Sequence, residues 1–429
     1  MTVAVVGVIV FGVLFAVNWM VCRSVVYPGV ALAGIWLLEF IVQAFAQGVL
    51  YPVSWYALAV FVVGAVCFTA GAALVYRCGA RPGNPTKSSA AQAQAQAQRG
   101  DGALLWFLVA LLVGGLPTFI EKVRQFTSAA LFSPAFFVQA RQGFLEQAAA
   151  MSRAPVVDNL VVLSSIFALI GYALTDGARR QRVAAWALIG LSLVYNLLTA
   201  AKAGAVTLVV ALFAIHVLLR RRLPMRFLIT SFGGILVLFG VVTVGRLETV
   251  GQSLTLAQSA VATWHYFLGY FSASPVGFST YLDHPDLVPA VWSPWQFFER
   301  TANYFRHFFH VPDLNAHFVR VGPDMFYNTY TAYFSYYPAY GLAGVIGFMS
   351  TLGMLCTWVY RRALSLGLVW LVLYGMLLYG ILMTIFNESL LLSLNFILKL
   401  VVVALLVAGF RRLRWRAHAS RVVMPDAIH

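Results

Sequence analysis

The sequence predicts an all-α polytopic membrane protein with about eleven transmembrane helices, on three grounds. Hydrophobic residues make up 61% of the 429 and charged residues only 10%, with a mean hydropathy of +0.83, whereas soluble domains run near a quarter charged. Apolar runs of about 20 residues, the length that crosses a hydrocarbon core, recur along the whole chain. Basic residues gather in short clusters between those runs. The runs cover 3-22, 25-47, 54-76, 103-120, 157-175, 183-201, 203-219, 227-245, 338-360, 366-386 and 390-410, and the whole of 1-429 reads as a single integral membrane domain.

The first run has no basic stretch ahead of it and no small-residue cleavage site before Cys22 and Arg23, so it reads as a membrane helix and not as a leader. If the spans alternate, Arg77/Arg81/Lys87/Arg99, Arg179/Arg180/Arg182, Arg220/Arg221/Arg222/Arg226, Arg361/Arg362 and Arg411/Arg412/Arg414/Arg416 all fall on one side. Retention of positive charge makes that side cytoplasmic, with the N-terminus outside and the C-terminus inside. The net charge of +15 is therefore a topology signal, and nucleic acid is not implied as a partner. Cys22, Cys67, Cys78 and Cys356 lie in or beside apolar runs without a CxxC or a Cys/His cluster, which excludes a disulfide framework and a structural zinc site as readings. Segment 82-102 (PGNPTKSSAAQAQAQAQRGDG) has no period that would bury it and reads as a disordered cytoplasmic linker.

Chemistry is then sought in the two long outer segments, 121-156 and 246-337, because loops that long between spans are usually folded or functional. The second is a large loop that holds Arg246, Arg300, Arg306 and Arg320, five histidines and six acids, interleaved with aromatics in WHYFLGYF (264-271), WSPWQFFERTANYFRHFFH (292-310) and FYNTYTAYFSYY (326-337). Aromatic faces beside polar groups suit sugar rings, with Tyr270 and Tyr327 as candidates, although aromatic belts also occur at every membrane interface. Arginine on the outer side runs against the charge bias, and a planar guanidinium binds phosphate bidentately. Arg246, ending the eighth span, is the best-placed arginine, with Arg300 and Arg320 beside it; a salt bridge to Glu248 or a headgroup contact is the structural alternative. Lys202 lies outside as well, in a position a snorkelling lysine would also take.

His317, three residues before Arg320, is a candidate general base. His307, His310 and Asp313 form an HxxHxxD spacing, too thin a pattern to assign a metal. Within the spans, Glu39, Glu388 and Lys399 stand out, because a charge there is costly and is generally paired or functional. Glu388, at the end of span ten, is in a position to face water. Glu39 and Lys399 both sit roughly 12-14 Å below the outer surface at 1.5 Å per residue, which makes a structural salt bridge between them an expectation.

These residues resemble the oligosaccharide repeat-unit polymerases, the Wzy-type O-antigen or capsular polymerases. The likeness lies in the Lys202-x-Gly204 turn, in Gly245-Arg246 closing a span, in YFLGYFSASPVGFSTYL (266-282), and in YNTYTAYFSYYPAYGLAGVIGF (327-348), covering mainly 195-350. The resemblance implies a GT-C-like glycosyltransferase of the bacterial inner membrane with a large periplasmic loop region. It would need no nucleotide sugar, cofactor or metal, and would join undecaprenyl-diphosphate-linked units at the periplasmic face. It also implies substrate contacts from Asn328 and Tyr327, and a chain-length regulator as protein partner. O-antigen ligases are similar in architecture but are expected to carry a histidine base in the stretch that here reads Phe326, Tyr327, Asn328, Thr329, Tyr330. That departure counts against a ligase and leaves the base between His317 and Asp324. A transporter of lipid-linked oligosaccharide is a third expectation, although the two halves show no convincing repeat.

Overall fold

The computed structural model describes residues 2–78, 101–149, 155–175, 178–200, 202–223, 255–287, 293–299, 317–323 and 325–422, with isolated positions between 225 and 240 and at 311. Twelve α-helices lie among them: α1 (Val3–Val21), α2 (Pro28–Phe45), α3 (Trp55–Cys78), α4 (Asp101–Arg124), α5 (Pro134–Ala149), α6 (Pro155–Ala173), α7 (Arg179–Leu198), α8 (Lys202–Arg220), α9 (Leu256–Asp283), α10 (Tyr337–Ala363), α11 (Leu368–Leu382) and α12 (Leu394–Val422). Nine of these are long and apolar enough to cross a membrane, and the chain is a multi-pass membrane protein. Of the eleven expected spans, 157-175 has a shorter apolar helix, Asn159–Ala173, and 227-245 lies outside the described residues except for isolated positions. The side chains agree with a lipid environment. One face of α1 exposes Val5, Ile9, Val13 and Val17, and α12 exposes Leu398, Val402, Leu405 and Leu406, stripes that water would not tolerate.

The chain forms two compact units from interleaved segments. Met1–Ala80, Leu254–Arg362 and Met376–Ile397 make the first, and Arg81–Ser253, Ala363–Gly375 and Leu398–His429 the second. The linker 82-102 is shorter than read, since Asp101 already starts α4, and 82-100 lies outside the described residues. The outer segment 121-156 takes in the end of α4 and the whole of α5.

Unit 1 is held by small residues that let helices approach closely. A Cβ on Gly71 would lie 2.4 Å from the carbonyl oxygen of Ser350, and one on Gly353 would lie 2.0 Å from that of Phe68, so α3 and α10 touch backbone to backbone. Gly7 likewise leaves room for the Phe40 ring, and Phe11 stacks on Trp36 and Phe40 with centroids 5.7 and 5.4 Å apart. Gly341 (φ 58°) turns the chain between two helical pieces of α10, a backbone setting that a side chain resists.

Much of the described part of 246-337 is helix or hairpin. Helix α9 starts at a capping box, in which Thr255 takes the Gln258 N–H while the Gln258 side chain accepts from the Thr255 N–H. Its Ser272–Ser279 stretch is buried on all sides, against α2, α3 and a two-stranded hairpin. The hairpin pairs β1 (Val319–Gly322) with β2 (Met325–Tyr327) antiparallel, with a register irregularity between Arg320 and Gly322.

Unit 2 packs α4, α6, α7 and α8 around a polar core, where Asn196 donates to Ser165 Oγ (3.2 Å) and to the Ser192 carbonyl (2.8 Å). The expected Glu39–Lys399 salt bridge is not formed. Lys399 donates to Asn159 Oδ1 at 2.7 Å within unit 2, and Glu39, fully buried in unit 1, accepts from Gln43 Nε2 at 2.9 Å. Equal depth along two helices gave no information on which neighbours each side chain would meet.

Candidate functional site

Five segments that are distant in sequence meet at one end of unit 1. The turn after α2 joins the hairpin, Tyr51 N–H donating to the Val321 carbonyl (2.9 Å), while a Cβ on Gly322 would collide with the Val49 carbonyl. Ser54 N–H donates to Ser279 Oγ of α9 (2.8 Å), and Ser274 Oγ of α9 meets Thr329 Oγ1 (2.8 Å). The short helix Ala332–Ser335 drops into the bundle, because Gly64 leaves space for the Tyr333 ring, whose hydroxyl donates to the Phe61 carbonyl (3.2 Å). Residues 293–299 are anchored on α10 by Phe297 against Phe348 (centroids 4.6 Å) and by Tyr340 Oη donating to the Pro294 carbonyl (2.9 Å).

The fifth segment is the turn between α11 and α12, built on Glu388. Its carboxylate accepts three consecutive backbone N–H groups, Leu390 at 2.9 Å on Oε1 and Leu391 and Leu392 at 2.8 and 2.9 Å on Oε2. The expectation that Glu388 faces water is therefore corrected: it is 1% exposed and serves as the internal anchor of its turn. Burial pushes its carboxyl up to about 7, against the pull of the three N–H groups. Burial and the neighbouring Glu388 both push the Tyr336 phenol up.

Where residues 299, 330–335 and 387–392 meet, they border an open cleft whose enclosed part, about 10 Å³, admits a group the size of a hydroxyl. Glu299, Tyr330, Thr331, Phe334, Ser335 and Asn387 line it, with Leu392 at its edge. Tyr330 and Phe334 stack with centroids 4.0 Å apart and planes 20° from parallel, and burial pushes the Tyr330 phenol up to about 12. Glu299 accepts from Gln296 Nε2 (3.3 Å). Thr331 is 1% exposed and its Oγ1 has no hydrogen-bond partner among the described residues. A buried hydroxyl without a partner costs free energy, and a ligand hydroxyl in the cleft would remove that cost. A carboxylate, three hydroxyls and an amide, with no cation among the described lining residues, match a neutral hydroxylated ligand better than a phosphate.

The structure gathers some of the sequence candidates and disperses others. Tyr270 and Tyr327 come together, edge to face with centroids 6.0 Å apart, with Tyr327 Oη donating to the Tyr270 carbonyl (3.4 Å), and Phe386 packs on Tyr270 at 5.9 Å. Asn328 follows β2 in the irregular stretch leading to Thr329 and Tyr330. His317 contributes its backbone carbonyl, which accepts from Tyr330 Oη (3.2 Å), and its side chain is not part of the cleft lining. Arg320 turns back on its own hairpin, Nε donating to the Pro323 carbonyl at 3.1 Å and Nη2 to the same oxygen, so its guanidinium caps the turn. Lys202 begins α8, where Gly204 packs against the Asn196 side chain.

Arg246, Arg300 and Asp324 lie outside the described residues, as do His307, His310 and Asp313. Among the described residues no three His, Cys, Asp or Glu side chains gather as metal ligands. Sequence reasoning did not single out Glu299, Thr331 or Asn387. The available signal was the polar triplet Asn387-Glu388-Ser389 between two apolar runs. Compared with protein-family models, with curated proteins and with solved structures, the chain matches none.

Proposed function

We propose that the protein polymerises oligosaccharide repeat units carried on undecaprenyl diphosphate, as a GT-C-like glycosyltransferase acting at the periplasmic face of the bacterial inner membrane. The observation that carries this reading is the cleft at the end of unit 1, with hydroxyl, amide and carboxylate groups beside stacked Tyr330 and Phe334, in a multi-pass membrane protein. Aromatic edges and unfilled hydrogen-bonding capacity are what a sugar acceptor requires, and the Tyr270/Tyr327/Phe386 cluster adds a further aromatic group at the same end. In this reading the membrane spans hold the lipid, Arg246 and Arg300 serve the diphosphate leaving group, and the cleft orients the acceptor sugar. No nucleotide sugar enters the reaction, because the lipid diphosphate is the leaving group.

The test is reconstitution of the purified protein in liposomes with a lipid-diphosphate-linked repeat unit. A ladder of products is the expected result. Transfer restricted to a lipid A-core acceptor would make the protein a ligase, and movement of the lipid across the bilayer without any new glycosidic bond would make it a transporter. Arg246→Lys is expected to abolish most of the ladder at unchanged membrane abundance, because lysine keeps the charge and loses the bidentate fork.

A further inference from the structure

We infer that Glu299 is the general base of the cleft, the group that takes the proton from the attacking hydroxyl of the acceptor sugar; this rests on the polymerisation reading above. Among the described residues, Glu388 and Glu299 are the carboxylates near this cleft, and they are held differently. Glu388 is 1% exposed and spends both oxygens on the N–H groups of residues 390–392. Glu299 forms part of the cleft lining itself. It is also fixed: Phe297 two residues before it is wedged on Phe348 and Tyr336, and Gln296 Nε2 donates to its Oε2. A base held by both packing and a hydrogen bond keeps its rotamer while substrate enters, which is the condition for efficient proton transfer.

The second, independent observation is Thr331. Its buried Oγ1 has no partner among the described residues and belongs to the same lining as Glu299, Ser335 and Asn387. A ligand hydroxyl in the enclosed part can donate to the Glu299 carboxylate and accept from Thr331 Oγ–H, which satisfies both. His317, a base candidate by sequence, gives the cleft only the carbonyl that orients Tyr330.

The step is balanced as follows. The acceptor oxygen attacks the anomeric carbon of the lipid-linked donor, and its proton passes to a Glu299 oxygen. The bond from the anomeric carbon to the phosphate oxygen breaks, and the lipid diphosphate leaves with the electron pair. The proton on Glu299 is then lost to water.

The experiment compares wild type, Glu299→Gln and Glu299→Asp in liposomes carrying a lipid-diphosphate-linked repeat unit. Glu299→Gln is expected to lower kcat by about 10²–10⁴-fold, the usual range for a general base, with KM for the repeat unit nearly unchanged. Glu299→Asp, which keeps the acid and fits in less space, should fold as wild type and recover part of the rate. A wild-type ladder with an unimpaired Glu299→Gln ladder overturns the assignment alone, as does a loss confined to KM. A wild type that forms no glycosidic bond overturns the polymerisation reading and this assignment with it.

Discussion

Glu388→Gln removes a buried charge and leaves the shape of the side chain almost unchanged. The native carboxylate spreads three N–H donors over its two oxygens, Leu390 on Oε1 and Leu391 with Leu392 on Oε2. An amide has oxygen at only one of these positions, so at least one buried N–H faces another donor, a defect of about 1–3 kcal/mol. Protonated Glu388 carries the same defect, since one oxygen becomes a donor. The two neutral forms therefore match in acid, and the variant differs from wild type only where Glu388 is ionised.

The sign follows from linkage. Burial raises the folded carboxyl from its ordinary 4.5 to about 7, so the folded protein binds this proton more tightly than the unfolded chain. The corresponding stability is fully present below about pH 4.5 and is lost as pH rises through about 7, a span worth about 3 kcal/mol. Glu388→Gln lacks this loss. Thermal unfolding in detergent should show coincident midpoints near pH 4.5 and a variant that is the more stable protein at pH 8. At pH 8 its ladder-forming rate should nevertheless fall, because the turn that presents Asn387 and Leu392 to the cleft is less firmly held. A variant that is less stable than wild type at pH 8 would refute the reasoning: the three N–H bonds would then outweigh burial, and the folded carboxyl would lie below 4.5.

Three further outcomes are expected. Gly353→Val should sharply reduce monodisperse protein in detergent, since a Cβ already meets the Phe68 carbonyl at 2.0 Å and overpacking of this kind costs about 1–3 kcal/mol or more; normal yield would show that α3 and α10 can separate. Lys399→Met and Asn159→Leu should lower thermal stability singly and together by less than the sum, whereas a Glu39→Lys/Lys399→Glu exchange should rescue nothing; additive losses at 159 and 399 would remove their coupling. Reporter fusions should place residue 90 and the C-terminus on the cytoplasmic side and residue 290 outside; an outside signal at residue 90 would reverse the assignment of the loops that follow.

The sequence by itself determined the membrane character and the places of most helices, because hydrocarbon thickness demands about 20 apolar residues in a row and leaves little choice of conformation. The same rule explains where it fell short. In 256-283 aromatics, serines and a histidine dilute the apolar run, so α9 reads as loop from its sequence, yet its Ser272–Ser279 stretch is buried by α2, α3 and the hairpin. Partners of polar groups were not legible either. Lys399 finds Asn159, 240 positions away, and Glu388 finds the N–H groups of its own turn, because hydrogen-bond partners are set by packing and not by spacing. Tyr270 and Tyr327 were legible as sugar-facing candidates from their aromatic surroundings, whereas Glu299, Thr331 and Asn387 carry no local signature. Only the tertiary structure makes them one cleft, because the residues belong to three segments that the packing of α10 and the turn after α11 brings to the same end.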